Sequence, residues 1–132
     1  MKLHQAARTM IGTPFQHQGR RPGHGLDCAG VVVCAAKAVG VLMHDCTNYR
    51  RIPHRRLLRD GFNRDLQSVN RHVMPGDVLL FWMQRPALEI HCGIATPAGF
   101  VHVEQDDRVR EEVLTLNWRK QLAAVYTLEG AA

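Results

Sequence analysis

Cysteine and histidine are the residues of this sequence that could perform nucleophilic chemistry, and there are four of the first and eight of the second. Cys28 differs from the other cysteines because it follows a glycine-rich loop and a helix-capping residue type, Asp27. Unpaired N–H groups and the positive end of the helix dipole favour a thiolate in the first turn of a helix. We therefore expect Cys28 to be a nucleophile. The alternative, a small buried apolar residue, fits Cys34.

A nucleophilic thiol needs a base, and His91 and His102 are the histidines that lie within predicted strands. A turn over 96–99 would pair Gly93 with His102 and bring both histidines to one face of the sheet. Such diagonal neighbours lie roughly 7 Å apart between backbones, so one imidazole could hydrogen-bond the other and fix its tautomer. For either histidine by itself, the alternative is an interior residue whose hydrogen bonds are satisfied.

The elements that must position these residues are helices in the first half of the chain and strands in the second. Apolar periodicity predicts a helix over 1–12, and Pro14 disfavours its continuation into the loop that runs to Leu26. A second helix is predicted from the Asp27 cap to Gly40. One or two short helices between Pro53 and Val73 precede strands over 78–83, 88–95, 100–105 and 108–114, and the tail 117–128 predicts a short helix and a last strand. Helices followed by an antiparallel meander indicate an α+β fold, which we expect to be one domain over 1–132.

The net charge of +5 is concentrated in one segment, because residues 50–71 hold seven arginines and two aspartates. Such a cluster favours an anionic polymer, and a solvated helical face is the alternative. A nucleic-acid-binding function lacks a recognised motif and aromatic residues interleaved with the basic ones. An anionic cell-wall polymer and acidic lipid stay open as partners, and Arg50, Arg51, Arg55, Arg56 and Arg59 are the candidate residues for binding an anionic polymer of the envelope.

Composition excludes several other classes of protein. The hydrophobic fraction of 45% is enough for one core, and no apolar run reaches the ~18 residues of a membrane span. The opening residues MKLHQAARTM lack the apolar stretch of a signal peptide, so we expect synthesis in the cytoplasm and reduced thiols. No cysteine or histidine spacing is typical of a structural zinc site, and we expect no metal.

Five segments together resemble the NlpC/P60 peptidases, papain-like cysteine hydrolases that cut stem peptides of the bacterial cell wall: GTPFQHQGR, GLDCAGVV, PGDVLLF, IHCGIA and FVHV. The resemblance implies N-terminal helices packed on a C-terminal antiparallel sheet, with the active site between them. It implies that Cys28 is the nucleophile, His91 the general base and His102 the residue that orients the base. The HQGR form of the loop is similar to the phage-encoded branch, which implies a place in a phage tail or similar particle and tail proteins as partners.

The resemblance also implies a substrate. Family members of this kind cut between D-γ-glutamate and a diamino acid, without a cofactor, and Asp27 matches a position that binds the free amino end of the substrate. Phe15 stands where the family usually has a tyrosine, so His17 is the candidate for the missing polar group. Ala29 replaces a commoner serine, and Cys92 replaces an apolar residue and should pack inward.

Two further functions stay open at this point. The domain could be a catalytically inactive or assembly component of a tail, although the intact cysteine and histidines count against that. It could also be a related thiol amidase or acyltransferase that uses the same residues on a different acyl group.

Overall fold

The computed structural model describes residues 1–128, so the predicted domain end at Ala132 lies outside the described residues. In that part of the chain the helices, in order, are α1 Leu3–Arg8, α2 Cys28–Ala38, α3 Leu57–Asp65 and α4 Leu116–Lys120. The strands are β1 Arg20–Arg21, β2 Gly25–Leu26, β3 Gln67–Val69, β4 Val78–Phe81, β5 His91–Thr96, β6 Gly99–His102, β7 Arg110–Glu112 and β8 Leu122–Thr127. The predicted α+β arrangement of helices before strands is confirmed.

Six strands form one antiparallel sheet in the order β3-β8-β4-β5-β6-β7, and β1 and β2 form a separate pair. The meander predicted from the sequence is correct for β4 to β7, which pair in chain order, but not for β3 and β8. The last strand, β8, returns to pair with β4, and β3 adds to β8 at the edge of the sheet. At three residues, β3 is too short to show a periodicity of two, which is why the sequence did not predict it.

Helices α1, α2 and α3 cover one face of the sheet. The core on that face joins Ala6, Val31 and Phe62 of the helices to Cys92 and Ile94 of β5. The expectation that Cys92 packs inward is confirmed, because its side chain is fully buried. The other face carries a smaller cluster, in which Trp118 of α4 packs against Phe81, Ala95 and Phe100.

The helix that begins at Cys28 forms as predicted. The Asp27 carboxylate caps α2 by accepting a 2.8 Å hydrogen bond from the Gly30 N–H, and the chain leaves the helix at Gly40 with a φ of +88°. Val31 and Val32 disfavour a helix intrinsically, but both are fully buried, and burial of a valine side chain is worth more than the propensity costs.

The helix predicted over 1–12 was wrong in length, and the prediction of one or two short helices between Pro53 and Val73 is confirmed. Helix α1 ends at Arg8 instead of residue 12, because the chain turns there towards Gly12, whose φ is +94° and whose N–H bonds to the Val109 carbonyl. The basic segment contains one helix, α3, and an irregular stretch before it.

Candidate active site

The nucleophile candidate lies in a cleft between the helices and the sheet. Cys28 is the first residue of α2 and is half-buried, and it lines a cavity of about 300 Å³. Five of the six site residues predicted from the sequence line this cavity: Cys28, His91, Asp27, Phe15 and His17. The sixth, His102, is fully buried behind His91.

The two strand histidines form a hydrogen-bonded pair. His91 Nε2 lies 2.8 Å from His102 Nδ1, and the rings meet edge to face with centroids 5.1 Å apart. The predicted register is confirmed where Ala95 pairs with Phe100. Gly93 makes the approach possible, because a Cβ at that position would lie 3.1 Å from His102 Cβ. Since Nε2 of His91 is occupied, its Nδ1 is the nitrogen left for Cys28.

The surroundings of Cys28 favour its thiolate. Proximity to the Cys92 thiol lowers the pKa of Cys28, and despite burial, proximity to His91 and the charge on that imidazole lower it further. The same contact with Cys28, together with burial, raises the pKa of Cys92, so Cys92 stays a protonated donor. Burial also raises the pKa of Cys34, whose Sγ lies 3.4 Å from the Arg20 carbonyl oxygen. Of Cys28, Cys34 and Cys92, only Cys28 has a lowered pKa and is therefore an activated thiol.

Asp27 has a second set of partners that the sequence did not predict. Besides capping α2, its carboxylate accepts a 2.8 Å hydrogen bond from Arg20, a 3.0 Å hydrogen bond from the Gln18 N–H and a further one from the Tyr49 hydroxyl. Tyr49 also lines the cleft, and its carbonyl oxygen lies 3.1 Å from His17 Nε2. The predicted role of Asp27 in binding an amino group stays a prediction, and such a group would have to exchange with one of these donors.

Three residues of this site were missed, and only one had a signal in the sequence. Tyr49 lies in an irregular stretch, so nothing local connects it with Asp27. Trp118 belongs to α4 and its ring contacts both histidines. Glu112 lies 2.8 Å from His102 Nε2 and could have been found by extending the strand pairing from β6 to β7.

The arginine-rich segment contributes to one wall of the cleft through Arg51. Arg59 forms a two-bond ion pair with Glu89, with both distances 2.6 Å, and Arg56 pairs with Asp60 on the same helix. Arg50, Arg51 and Arg55 are exposed, and within residues 1–128 no salt bridge involves them.

A set of possible metal-ligand atoms lies beside the histidine pair. His102, Glu104 and Glu112 offer ligand atoms within 4.8 Å of one another. Arg110 already donates to both carboxylates, at 2.6 Å to Glu104 and 3.2 Å to Glu112, so a cation is supplied by the chain itself. Of the four helices described, none combines the length and apolar character that crossing a bilayer requires.

Solved structures of known proteins show the same fold. A crystal structure of an NlpC/P60 family protein from Bacillus cereus aligns with 94% of this chain at a TM-score of 0.69 and 19% identity. The chain has the NlpC/P60 fold. The NlpC/P60 domain of the peptidoglycan hydrolase SagA aligns over 95% of both chains, with a TM-score of 0.65 and 21% identity. A lipoprotein-like NLP/P60 protein from Staphylococcus aureus gives a TM-score of 0.64 at 17% identity over 95% of this chain.

The similarity to these proteins is a similarity of fold at low sequence identity. This chain spans about two fifths of the Staphylococcus and Bacillus proteins, 39% and 38% of their lengths. No protein-family sequence model and no curated protein sequence matches it.

Proposed function

We propose that this protein is a cysteine peptidase that hydrolyses amide bonds in stem peptides of bacterial peptidoglycan. One observation carries the proposal: an activated Cys28 at the start of α2 shares a cleft with His91, which is hydrogen-bonded to His102. The fold supports it, because SagA, which has the same fold, is a peptidoglycan hydrolase.

In the proposed reaction, His91 accepts the S–H proton of Cys28 and the thiolate sulfur bonds to the carbonyl carbon of the scissile amide. The carbonyl oxygen takes the negative charge and accepts hydrogen bonds from N–H groups at the start of α2, including that of Cys28. The C–N bond then breaks, and His91 returns its proton to the leaving nitrogen. Water, deprotonated by His91, attacks the thioester, which releases a carboxylate and restores the thiol.

We propose the bond between D-γ-glutamate and a diamino acid as the site of cleavage. A γ-linked glutamate keeps its α-carboxylate free, and Arg51 supplies a cation in the wall of the cleft. Phe15 and Leu57 offer apolar surface beside it. A place in a phage-type tail stays a prediction from the HQGR loop.

Docking on the anionic envelope is a further part of the proposal. Ion pairs within the protein reduce the set of arginines that are available for it. Arg56 and Arg59 hold acidic partners, so we assign docking to Arg50, Arg51 and Arg55. Attraction between exposed charges is screened by salt, so we expect envelope binding, which uses three arginines, to weaken more steeply with added salt than hydrolysis of a short peptide, which meets only Arg51 of the three.

The test is hydrolysis of a synthetic stem peptide that contains the γ-linkage, followed by mass spectrometry, with the α-linked isomer for comparison. Cys28→Ala should lower the rate by at least about 10³-fold, because Cys28 is the cysteine among residues 1–128 that lines the cleft beside His91. Cys34→Ala is the matched control, since its thiol bonds to the Arg20 carbonyl and does not line the cleft within residues 1–128. An unchanged rate in Cys28→Ala would refute the peptidase.

The same assay separates the alternative functions. Transfer of the acyl group to an added amine in preference to water would identify an acyltransferase. No turnover of either peptide by a protein whose Cys28 is readily alkylated would favour an assembly role.

A further inference from the structure

Glu112 lies behind the histidine pair on the face that holds both imidazoles. Strand β7 pairs with β6 so that Arg110 is opposite His102 and Glu112 is opposite Phe100, which makes Glu112 the diagonal neighbour of His102. Its Oε1 lies 2.8 Å from His102 Nε2, and its Oε2 accepts a 2.8 Å hydrogen bond from the Trp118 indole. The side chain is 31% exposed, so solvent reaches only part of it.

The carboxylate decides which nitrogen of His102 carries the proton. Although burial opposes it, hydrogen bonds from Trp118 and His102 lower the pKa of Glu112, which is therefore ionised at neutral pH. An ionised carboxylate only accepts hydrogen bonds, so His102 Nε2 must donate. Burial and the charge on His91 lower the pKa of His102 to about 4, so this ring carries one proton at neutral pH and its Nδ1 has a free lone pair.

The lone pair on His102 Nδ1 determines the direction of the hydrogen bond between the two histidines. Because His102 Nδ1 accepts, the 2.8 Å bond to His91 must be donated by His91 Nε2–H. Neutral His91 then has its lone pair on Nδ1, the nitrogen left for Cys28. In the opposite tautomer, His102 would donate, and neutral His91 would present a proton where it has to accept one.

We propose that Glu112 is a positioning residue that sets the tautomers of His102 and His91 and so presents the base to Cys28. This inference rests on the proposed function for its catalytic meaning, since Glu112 acts through His102 and touches neither the substrate nor the thiol. Indole donation from Trp118 holds the carboxylate in place, and the Trp118 ring also lies against both imidazoles, with centroids 5.7 Å from His91 and 5.2 Å from His102.

The first experiment needs no substrate. Two-bond ¹H–¹⁵N NMR spectra of the whole protein at neutral pH distinguish the imidazole tautomers, and His102 should be protonated at Nε2. Protonation of His102 at Nδ1 in the wild-type protein would overturn the proposal. Absence of peptidase activity in a protein with the expected tautomers would refute the proposed function and leave this inference standing.

The second experiment compares Glu112→Gln with Glu111→Gln. The introduced amide has one oxygen, so it cannot accept from both the indole and the imidazole, and the negative charge is lost. Glu111 is the matched control because it belongs to the same strand and bonds elsewhere, to Arg8 at 2.7 Å and to Thr96.

Glu112→Gln should lower kcat/KM by about 10²-fold or more, since loss of the orienting carboxylate in serine protease triads costs about 10⁴-fold. It should also move the pH at which Cys28 is half-maximally alkylated by iodoacetamide upward by roughly one unit, because the imidazolium partner of the thiolate loses a nearby negative charge. Arg110 and Glu104 lie beside Glu112 and His102, and Cys28 and the rings of Phe81 and Trp118 lie beside His91; all of these groups are present in both variants. Equal alkylation profiles and equal kcat/KM for the two variants would overturn the proposal.

Discussion

Replacement of Gly93 by alanine should damage the histidine pair more than the rest of the fold. A Cβ at this position would lie 2.8 Å from the Val101 carbonyl oxygen and 3.1 Å from His102 Cβ, whereas ordinary contact begins at 3.4 Å. Strands β5 and β6 must therefore separate by about 0.6 Å at the point where the imidazoles meet. If all of this movement reaches the rings, the 2.8 Å bond between them lengthens to about 3.4 Å, beyond the usual range for a hydrogen bond.

The free energy of unfolding should fall by about 0.5–2 kcal/mol in Gly93→Ala. Overpacking of a filled site costs roughly 1–3 kcal/mol, and the loss of chain entropy in the unfolded state returns about 0.4–1 kcal/mol. Urea unfolding followed by circular dichroism measures this change, and kcat/KM on a stem peptide measures the effect on the histidine pair. We expect kcat/KM to fall by at least about tenfold, because a weakened bond no longer holds His91 in one orientation.

Gly61→Ala is the matched control, because the position is helical and, beyond its chain neighbours and the backbone of its own helix, no heavy atom of residues 1–128 lies within 4 Å of the added Cβ. That variant should gain about 0.5–1 kcal/mol from helix propensity, with unchanged kcat/KM. If Gly93→Ala instead unfolds at the same urea concentration as the wild type and keeps its kcat/KM, the close approach of the two strands does not position the histidines.

Two further predictions concern charge. The pKa of Glu89 is lowered by its hydrogen bond with Arg59, so this pair stabilises the protein above the carboxyl's unfolded pKa and the effect is lost as pH falls through the folded pKa. Between pH 7 and pH 3 the wild type should therefore lose about 1 kcal/mol more stability than Glu89→Gln in urea titrations, and equal losses would contradict this. Cys92→Val should raise the pH of half-maximal Cys28 alkylation by about one unit, because the thiolate loses a donor, and mass spectrometry of the labelled peptide reports it. Cys34→Val should leave that pH unchanged. An unchanged midpoint in Cys92→Val would show that the Cys92 thiol does not lower the pKa of Cys28.

Local signals were sufficient for the half of the site that lies on regular elements. Asp27 marks the start of a helix and Gly40 marks its end, because helix caps act within a few residues. Cys28 could therefore be placed in the first turn of that helix. Alternation with a period of two put His91 and His102 on one face, and the turn between β5 and β6 set their register. None of these inferences depends on contacts between distant segments.

The partners of those residues depend on contacts that propensity does not encode. Tyr49 reaches Asp27 from an irregular stretch 22 residues further along the chain. Arg59 belongs to a segment whose charge predicted a docking surface, but the fold brings Glu89 to it across 30 residues. The return of β8 to the centre of the sheet is likewise a choice among strand pairings that all satisfy the same alternation.

The sequence by itself determined the candidate nucleophile, the candidate base and its histidine neighbour, because a capped helix and a hairpin position side chains through neighbours in the chain. Only the tertiary structure decided the surroundings that make Cys28 reactive. It brought Cys92 beside the thiol and Glu112 behind His102, since burial and packing between α2, β5 and β7 determine which donors and acceptors meet. Local sequence therefore determines which residue types the site contains, and the packing of distant segments determines the protonation states of those residues.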